Sequence, residues 1–506
     1  MPLRNTAIAQ DASNDDGGAS YLLRTPGLAY HVGDWASCGC LFSGDLVVKV
    51  WQLRSWAIVW LGLTLWCSAV AAADLEMPEA ALKAYVDKKD DSFRWEKRRT
   101  GSVLSASFAE LRMTSQTWRD IAWKHQLFVI KPSSAPADAK HALLFIAGGS
   151  WKPELDRPDF ESNLPREAQL LALAAEQVQT PVAILLHVPQ QPIFDGKTED
   201  AIISYTFEEF MKSRDPEWPL LLPMVKSAVR AMDAVQQFSK DEWSMGIEKF
   251  TISGGSKRGW TTWLTGAVDP RAGAIAPMVI DVLNMGPQMK HQRATWGEPS
   301  VMIADYTRRG LDQVFDTPNG RTLLKIIDPF SYRQSLTQPK LIVLGTNDPY
   351  WPLDAANLYW DGLPGQKHLL YVPNNGHGLR DTARLVGGLA ALHRQLVTGQ
   401  TLPKIDWAFA EQDGQLELRV KSETPPKGVS AWTASTATRD FRESKWTSAP
   451  AEKVGDAYIC RLPVPPQGCS ALFGELTFEG ANDVPYYLST AVRIVGNGQP
   501  AKKDKP

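Results

Sequence analysis

One stretch constrains this chain more than any other: Lys249-Phe250-Thr251-Ile252-Ser253-Gly254-Gly255-Ser256-Lys257-Arg258-Gly259-Trp260. A β-branched apolar run reaches two glycines, a serine and, three residues on, a third glycine, then passes into sequence of helical character. The pattern predicts a strand, a sharp turn and a helix, with Ser256 at the tip. A serine so placed sits in strained backbone with its hydroxyl exposed above the sheet, and small neighbours are needed because strand and helix nearly touch. The helix N-terminus adds free N–H groups and the positive end of a dipole. The usual spacing puts glycine two residues before and two after the serine. Gly254 fits, but Arg258 fills the second position and Gly259 follows it.

The runs Ala142-Leu143-Leu144-Phe145-Ile146-Ala147, Val182-Ala183-Ile184-Leu185-Leu186, Leu341-Ile342-Val343-Leu344 and Leu369-Leu370-Tyr371-Val372 are continuously apolar, the mark of strands buried on both faces. Residues 118–130 alternate in part and read as one strand, at a sheet edge or in an antiparallel pair. Helical patterns over 165–178, 219–238 and 382–397 fall between or after these runs, and Pro219 suits a first helical turn. The alternation implies an α/β architecture: a mostly parallel sheet covered by helices, with ligands bound along the edge where the strands end. Residues 282–339 carry no clear sheet signal and read as a cap inserted into an α/β domain spanning 74–402. Beyond it, short alternating strands such as Leu416-Glu417-Leu418-Arg419-Val420 are punctuated by Gly and Pro. They predict a small C-terminal β-sandwich over 403–497 and a charged tail over 498–506.

The amino-terminal region has its own logic. Lys49 and Arg54, the apolar core from Trp56 to Trp66, and the small residues Ser68-Ala69-Val70-Ala71-Ala72-Ala73 read as a secretory signal over 47–73. The apolar core is too short for a permanent membrane span, so the chain is expected to be secreted or periplasmic. Residues 1–46 precede that signal and show neither helical nor strand period; the expected start of translation is Val47 or Val48. Of five cysteines, Cys460 and Cys469 lie beyond the signal, and in an exported β-rich segment they are expected to bridge a hairpin. The net charge is −2 with mixed signs, which gives no reason to expect a nucleic-acid or membrane-surface partner. Most of the 19 tryptophans are expected in the core. The eight histidines show no H-E-x-x-H spacing and no P-loop lysine is in register, so neither metal nor nucleotide cofactor is implied.

Two further polar tips follow buried strands. Gly345-Thr346-Asn347-Asp348-Pro349-Tyr350-Trp351 ends one, and Pro373-Asn374-Asn375-Gly376-His377 ends the next. In a parallel sheet both emerge on the edge that carries Ser256, in the order nucleophile, acid, base. Ser256 is a weak nucleophile until His377 takes its proton, and Asp348 would hold the imidazole in the productive tautomer. Asp281 also ends a strand and competes for the acid role. The oxyanion donors are expected from the Lys257 N–H and from Gly149, Ser150 or Trp151 after an earlier strand. Arg258, with Trp260 and Trp351, is a candidate substrate contact; the alternative for Arg258 is a buried pair with Asp281 or another acid at the sheet end.

At Ser253-Gly254-Gly255-Ser256-Lys257-Arg258-Gly259-Trp260, Ile280-Asp281-Val282-Leu283-Asn284, Gly345-Thr346-Asn347-Asp348-Pro349-Tyr350-Trp351 and Asn374-Asn375-Gly376-His377, the chain resembles the PhoPQ-activated pathogenicity-related family, which includes autocrine proliferation repressor-like proteins. The resemblance covers residues 75–495 and implies an α/β-hydrolase fold and export. The serine turn is also similar to that of glucuronoyl and acetylxylan esterases, and the Asp348 turn to that of oligopeptidase-type hydrolases. The expectation is a serine esterase working through an acyl-enzyme on a small-molecule, carbohydrate or peptide ester. A binding, signalling or antimicrobial-peptide-resistance protein on the same scaffold, and a peptidase, are the alternatives.

Overall fold

The computed structural model describes residues 77–165 and 167–500; the upstream segment, the signal and most of the tail lie outside them. Helix α1 (Ala80–Asp87) precedes the hairpin of β1 (Arg94–Val103) and β2 (Ala106–Trp118). Where one strand was expected over 118–130, the chain reverses. Arg119 and Asp120 take φ of 49° and 62°, and β3 (Ile121–Lys131) returns antiparallel along β2. Two successive left-handed residues make the tight turn that matches strand twist.

The α/β segment follows: β4 (His141–Ile146), α2 (Ala168–Val178), β5 (Val182–Leu185), α3 (Glu199–Ser213), α4 (Leu221–Trp243), β6 (Lys249–Gly255), α5 (Lys257–Val268) and β7 (Ala272–Met278). A largely helical insertion with α6 (Met285–Trp296) and α7 (Pro318–Ile327) leads to β8 (Lys340–Gly345), β9 (Lys367–Val372) and α8 (Thr382–Thr398). The strands lie side by side as β2-β3-β5-β4-β6-β7-β8-β9. From β5 to β9 every neighbour is parallel, while β3 runs antiparallel to β5. Alternate residues face two cores. Leu144, Ile146, Phe250 and Ile252 pack with Val225 of α4 and Trp263 of α5, and Leu143, Val182, Ala274 and Leu370 pack with Leu171 of α2 and Leu392 of α8. Burial on both faces is why these strands read as unbroken apolar runs.

Nine strands complete the chain: β10 (Ile405–Gln412), β11 (Gln415–Ser422), β12 (Gly428–Thr436), β13 (Thr447–Pro450), β14 (Glu452–Val454), β15 (Ala457–Pro463), β16 (Cys469–Phe478), β17 (Tyr486–Ser489) and β18 (Arg493–Gly496). One layer is β10-β11-β15-β14; the other contains β17-β16-β12-β13, with β18 against β16. Leu416, Leu418 and Val420 of β11 pack with Leu472 and Leu476 of β16 between the layers. The second layer is not separate from the α/β sheet. Ser489 of β17 pairs with Leu369 of β9, and the Tyr371 N–H donates to Ser489 Oγ at 3.0 Å, so one sheet of 14 strands runs through both regions. The change of sequence character at 403 therefore marks a change of layer style and not a break in the sheet. No helix among the described residues is long and apolar enough to cross a membrane.

Cys460 and Cys469 do not form the expected bridge. Both thiols are free and buried. The expectation rested on a hairpin, but β15 pairs with β11 and β14, whereas β16 pairs with β12, β17 and β18. The chain crosses from one layer to the other between the two residues, and each sulfur packs in a different apolar core. Burial pushes the Cys460 thiol up to about 11, which keeps it protonated and unreactive. Iodoacetamide added to unfolded, unreduced protein should therefore alkylate both cysteines. A disulfide-linked peptide pair in the non-reduced digest would contradict the layer assignment.

Candidate active site

Ser256 stands between the last residue of β6 and the first of α5 with φ 57° and ψ −127°, a conformation that costs a non-glycine residue of order 1–3 kcal/mol. The serine N–H donates to Met278 O at 2.9 Å, and Ser256 O accepts from the Trp260 N–H at 3.0 Å. The glycines around it explain the unusual spacing. A Cβ on Gly259 would fall 2.7 Å from Ile280 Cγ2 and 3.0 Å from Gly254 O, and one on Gly254 would fall 2.9 Å from the Arg258 backbone. The pair that must stay bare is Gly254 and Gly259, so position 258 is free to carry a side chain.

That side chain points away from the pocket. Arg258 donates to Glu199 through both terminal nitrogens, at 2.8 and 2.6 Å, and through Nε to Val188 O at 2.5 Å. Its guanidinium lies against Gly148, where a Cβ would sit 2.4 Å from Nη2. Arg258 thus takes the buried-pair alternative, with Glu199 and not Asp281 as its acid. Glu199 comes from the first turn of α3, 59 residues away in sequence. Burial works against the Glu199 carboxylate, yet bonds to Arg258 and the nearby Lys257 hold it down to about 2. The stabilisation this pairing supplies is complete above the ordinary carboxylate range and is lost as pH falls toward 2. Lys257 Nζ bonds Asp200 at 2.8 Å, and Asp200 also accepts from Tyr306 OH at 2.9 Å.

His377 and Asp348, the expected base and acid, bond one another. His377 Nδ1 lies 2.9 and 3.1 Å from the two carboxylate oxygens of Asp348, and Tyr350 stacks on the imidazole with centroids 4.1 Å apart. The Tyr350 N–H donates back to Asp348 Oδ1 at 2.9 Å. His377 Nε2 is buried and has no partner among the described residues. It faces the pocket that Ser256 also lines, with no hydrogen bond between the two side chains.

The loops that carry the acid and base are held from the C-terminal layer. Gly345 is pressed against Asn375, whose carbonyl oxygen would lie 2.4 Å from a Cβ. Asn347 Nδ2 donates to the carbonyls of Arg442 and Ser444 at 3.0 and 2.7 Å. Asn374, at φ 57°, exchanges two bonds with the backbone of Trp446. The segment 441–446 thus pins both loops.

Asp281 sits elsewhere. It is fully buried, accepts from Tyr359 OH and does not bond His377. Burial first, then the charges of Asp348 and Asp354, raise its carboxyl to about 7, partly offset by the Tyr359 bond. The oxyanion candidates divide as well. The Lys257 N–H opens α5, where N–H groups lack intrahelical acceptors, whereas the Trp151 N–H is taken by Gln191 O at 3.2 Å. None of Gly149, Ser150 and Trp151 lines the pocket shared by Ser256 and His377; Lys257, Trp260 and Trp351 do.

The rest of the pocket was not foreseen. Phe207, Ile280 and Val282 form its floor, and the insertion contributes Met289, Ile303 and Phe315. Among them lies Asp312, whose Oδ2 takes Arg293 while Oδ1 is buried without a partner among the described residues. Tyr350 was legible as part of the Asp348 motif. Asp200, Tyr306 and Asp312 lie on helical segments whose pattern says nothing about a distant serine.

A parallel sheet with β4 and β5 exchanged, an antiparallel neighbour in β3 and polar tips after β6, β8 and β9 defines the α/β-hydrolase class. Within it, the chain belongs to the PhoPQ-activated pathogenicity-related protein family, whose model matches residues 82–442. The autocrine proliferation repressor protein A of Dictyostelium discoideum is 33% identical over 386 residues, which cover 71% of this chain and 76% of that protein. Among solved structures, acetyl xylan esterase 1 from Thermoanaerobacterium sp. JW/SL YS485 is 16% identical, covers 64% of this chain and 94% of its own, and has a TM-score of 0.45. A glucuronoyl esterase from Solibacter usitatus is 11% identical, with coverages of 63% and 92% and a TM-score of 0.36.

Asp281 also makes a pH prediction. A carboxyl raised in the folded state favours folding at low pH, and that contribution is lost as pH rises from about 4 through 7. Asn cannot ionise, so Asp281→Asn should gain stability on the wild type between pH 5 and pH 8, read by urea unfolding. A gap that stays flat or narrows would place the carboxyl in a less buried setting.

Proposed function

We propose that this protein is an exported serine hydrolase, a carboxyl esterase that works through an acyl-enzyme. The observation that carries the reading is the imidazole of His377, bonded at Nδ1 to Asp348 and unpartnered at Nε2, facing the pocket that Ser256 lines. With the Nδ1 proton directed to the carboxylate, the lone pair on Nε2 is free to take the Ser256 proton as Oγ attacks an ester carbonyl. Asp348 then stabilises the imidazolium and holds the ring orientation. The N–H groups at the start of α5 face the charge that develops on the carbonyl oxygen. His377 returns the proton to the departing alcohol, and water repeats the sequence to release the acid. Ligand-free sites commonly hold the serine and histidine apart before substrate draws them together.

The apolar wall favours an ester with an apolar acyl or alcohol group. Asp312 Oδ1 offers an acceptor to a hydroxyl or amide N–H on that group. Export rests on the 47–73 signal pattern. The name of the Dictyostelium relative suggests a second reading, a signalling protein on the same scaffold. Arg258, paired with Glu199, lends that reading no particular support.

A fluorophosphonate probe should label Ser256, with labelling abolished in His377→Ala. Folded wild-type protein that stays unlabelled would count for the signalling reading. On a p-nitrophenyl ester, Asp348→Asn should lower kcat roughly 10⁴-fold, the effect of a wrong histidine tautomer, while Asp281→Asn should keep most of the rate. The opposite ranking would exchange the two acids.

A further inference from the structure

A second cleft, of about 750 Å³, lies where the two layers of the C-terminal region meet the α/β sheet. It opens at the start of β9, around Lys367 and His368, whereas His377 follows the end of that strand. The two sites are therefore at opposite edges of the sheet.

The cleft exists because the sandwich does not close. On β11 the inward row Leu416, Leu418 and Val420 is fully buried. On the neighbouring edge strand β10, the inward row Ile405, Trp407 and Phe409 remains only half-buried. The same cleft is also lined by Trp360, Lys367, His368 and Arg493. Trp360 and Trp407 pack with centroids 5.5 Å apart at 42°. Lys367 Nζ lies 4.9 Å from the Trp360 ring, and the Arg493 guanidinium 5.3 Å from that of Phe409. The cations take one face of each outer ring and leave Trp407 as the central aromatic surface.

His368 supplies the polar counterpart. It is 8% exposed, and neither ring nitrogen hydrogen-bonds another described residue; Nε2 is fully enclosed. Burial, with Lys340 nearby, holds the imidazole down to about 4, so at neutral pH it is uncharged and presents one donor and one acceptor. Nε2 is enclosed, so Nδ1, which is not, is the ring nitrogen left open to a group in the cleft. The carboxylates of Asp361 and Glu423, which line the same cleft, also make no hydrogen bond among the described residues. The charges on the walls cancel: Lys367, Lys404 and Arg493 stand against Asp361, Asp406 and Glu423.

We propose that this cleft is a binding site for a neutral oligosaccharide, with pyranose faces against Trp407 and Phe409 and hydroxyls on His368, Asp361 and Glu423. A half-exposed aromatic row favours an apolar ring face, the orphaned imidazole suits a hydroxyl, and walls without net charge give an ionic ligand no advantage. An extended peptide could pair with the free backbone edge of β10, but it would leave the inward aromatic row uncovered. Clefts between structural layers are a common place for such sites. The proposal is independent of the esterase reading, since no residue in it touches the Ser256 pocket.

Calorimetric titration of the wild-type chain with hexasaccharides of β-1,4-linked glucose, xylose and mannose and α-1,4-linked glucose tests it. At least one should bind saturably, and Trp407→Ala should weaken that binding tenfold or more. Trp407 also supports neighbouring side chains, so Glu423→Ala at the exposed rim serves as a second variant, with a loss of about threefold. Absence of binding across the panel, binding unchanged in both variants, or binding of a short β-branched peptide in place of any sugar would overturn the assignment.

Discussion

Gly254 and Gly259 approach one another across the turn that carries Ser256, with no room for a Cβ on either. That approach forces the serine into left-handed backbone and lifts its hydroxyl above the sheet. The same turn also starts α5 immediately after Ser256, so the serine and the first N–H groups of that helix are set by one constraint. The strain is tolerable because β6 is an interior strand, paired in parallel with β4 and β7 on either side. A turn of this kind on a loose edge would relax.

Charge pairing then locks the surroundings of the turn. Arg258 reaches over Gly148 to Glu199, and Lys257 reaches both Glu199 and Asp200, so α3 is tied to α5 by three ion pairs at their first turns. Acids at the start of α3 also suit the dipole of that helix. The effect is to give both cations beside the serine fixed protein partners, which leaves the pocket itself largely apolar. Tyr306, bonded to Asp200, joins the insertion to the same network.

The C-terminal layer is more than an appendage. Through β17 it extends the main sheet, and through segment 441–446 it fixes the loops of Asp348 and His377. An Asn side chain can mimic a backbone amide, and Asn347 and Asn374 use that ability to bond main chain across a sequence gap of more than 70 residues. Asp348 and His377 are thus positioned by residues that do not line the pocket themselves.

Local pattern was enough for the strand-turn-helix at Ser256, the polar tips after β8 and β9 and the α/β class, because buried strands and tight turns leave short-range signatures. Pattern marked the strand over 121–130 but missed the reversal just before it, where two ordinary residues, Arg119 and Asp120, turn the chain without glycine, and it failed at Cys460 and Cys469, where nearness in sequence concealed a change of layer. Only the folded chain could choose Glu199 for Arg258, separate Asp281 from His377 and bring Asp312 to the pocket. Those outcomes depend on which groups are left without water or a partner once distant segments pack, and no short stretch of residues encodes that.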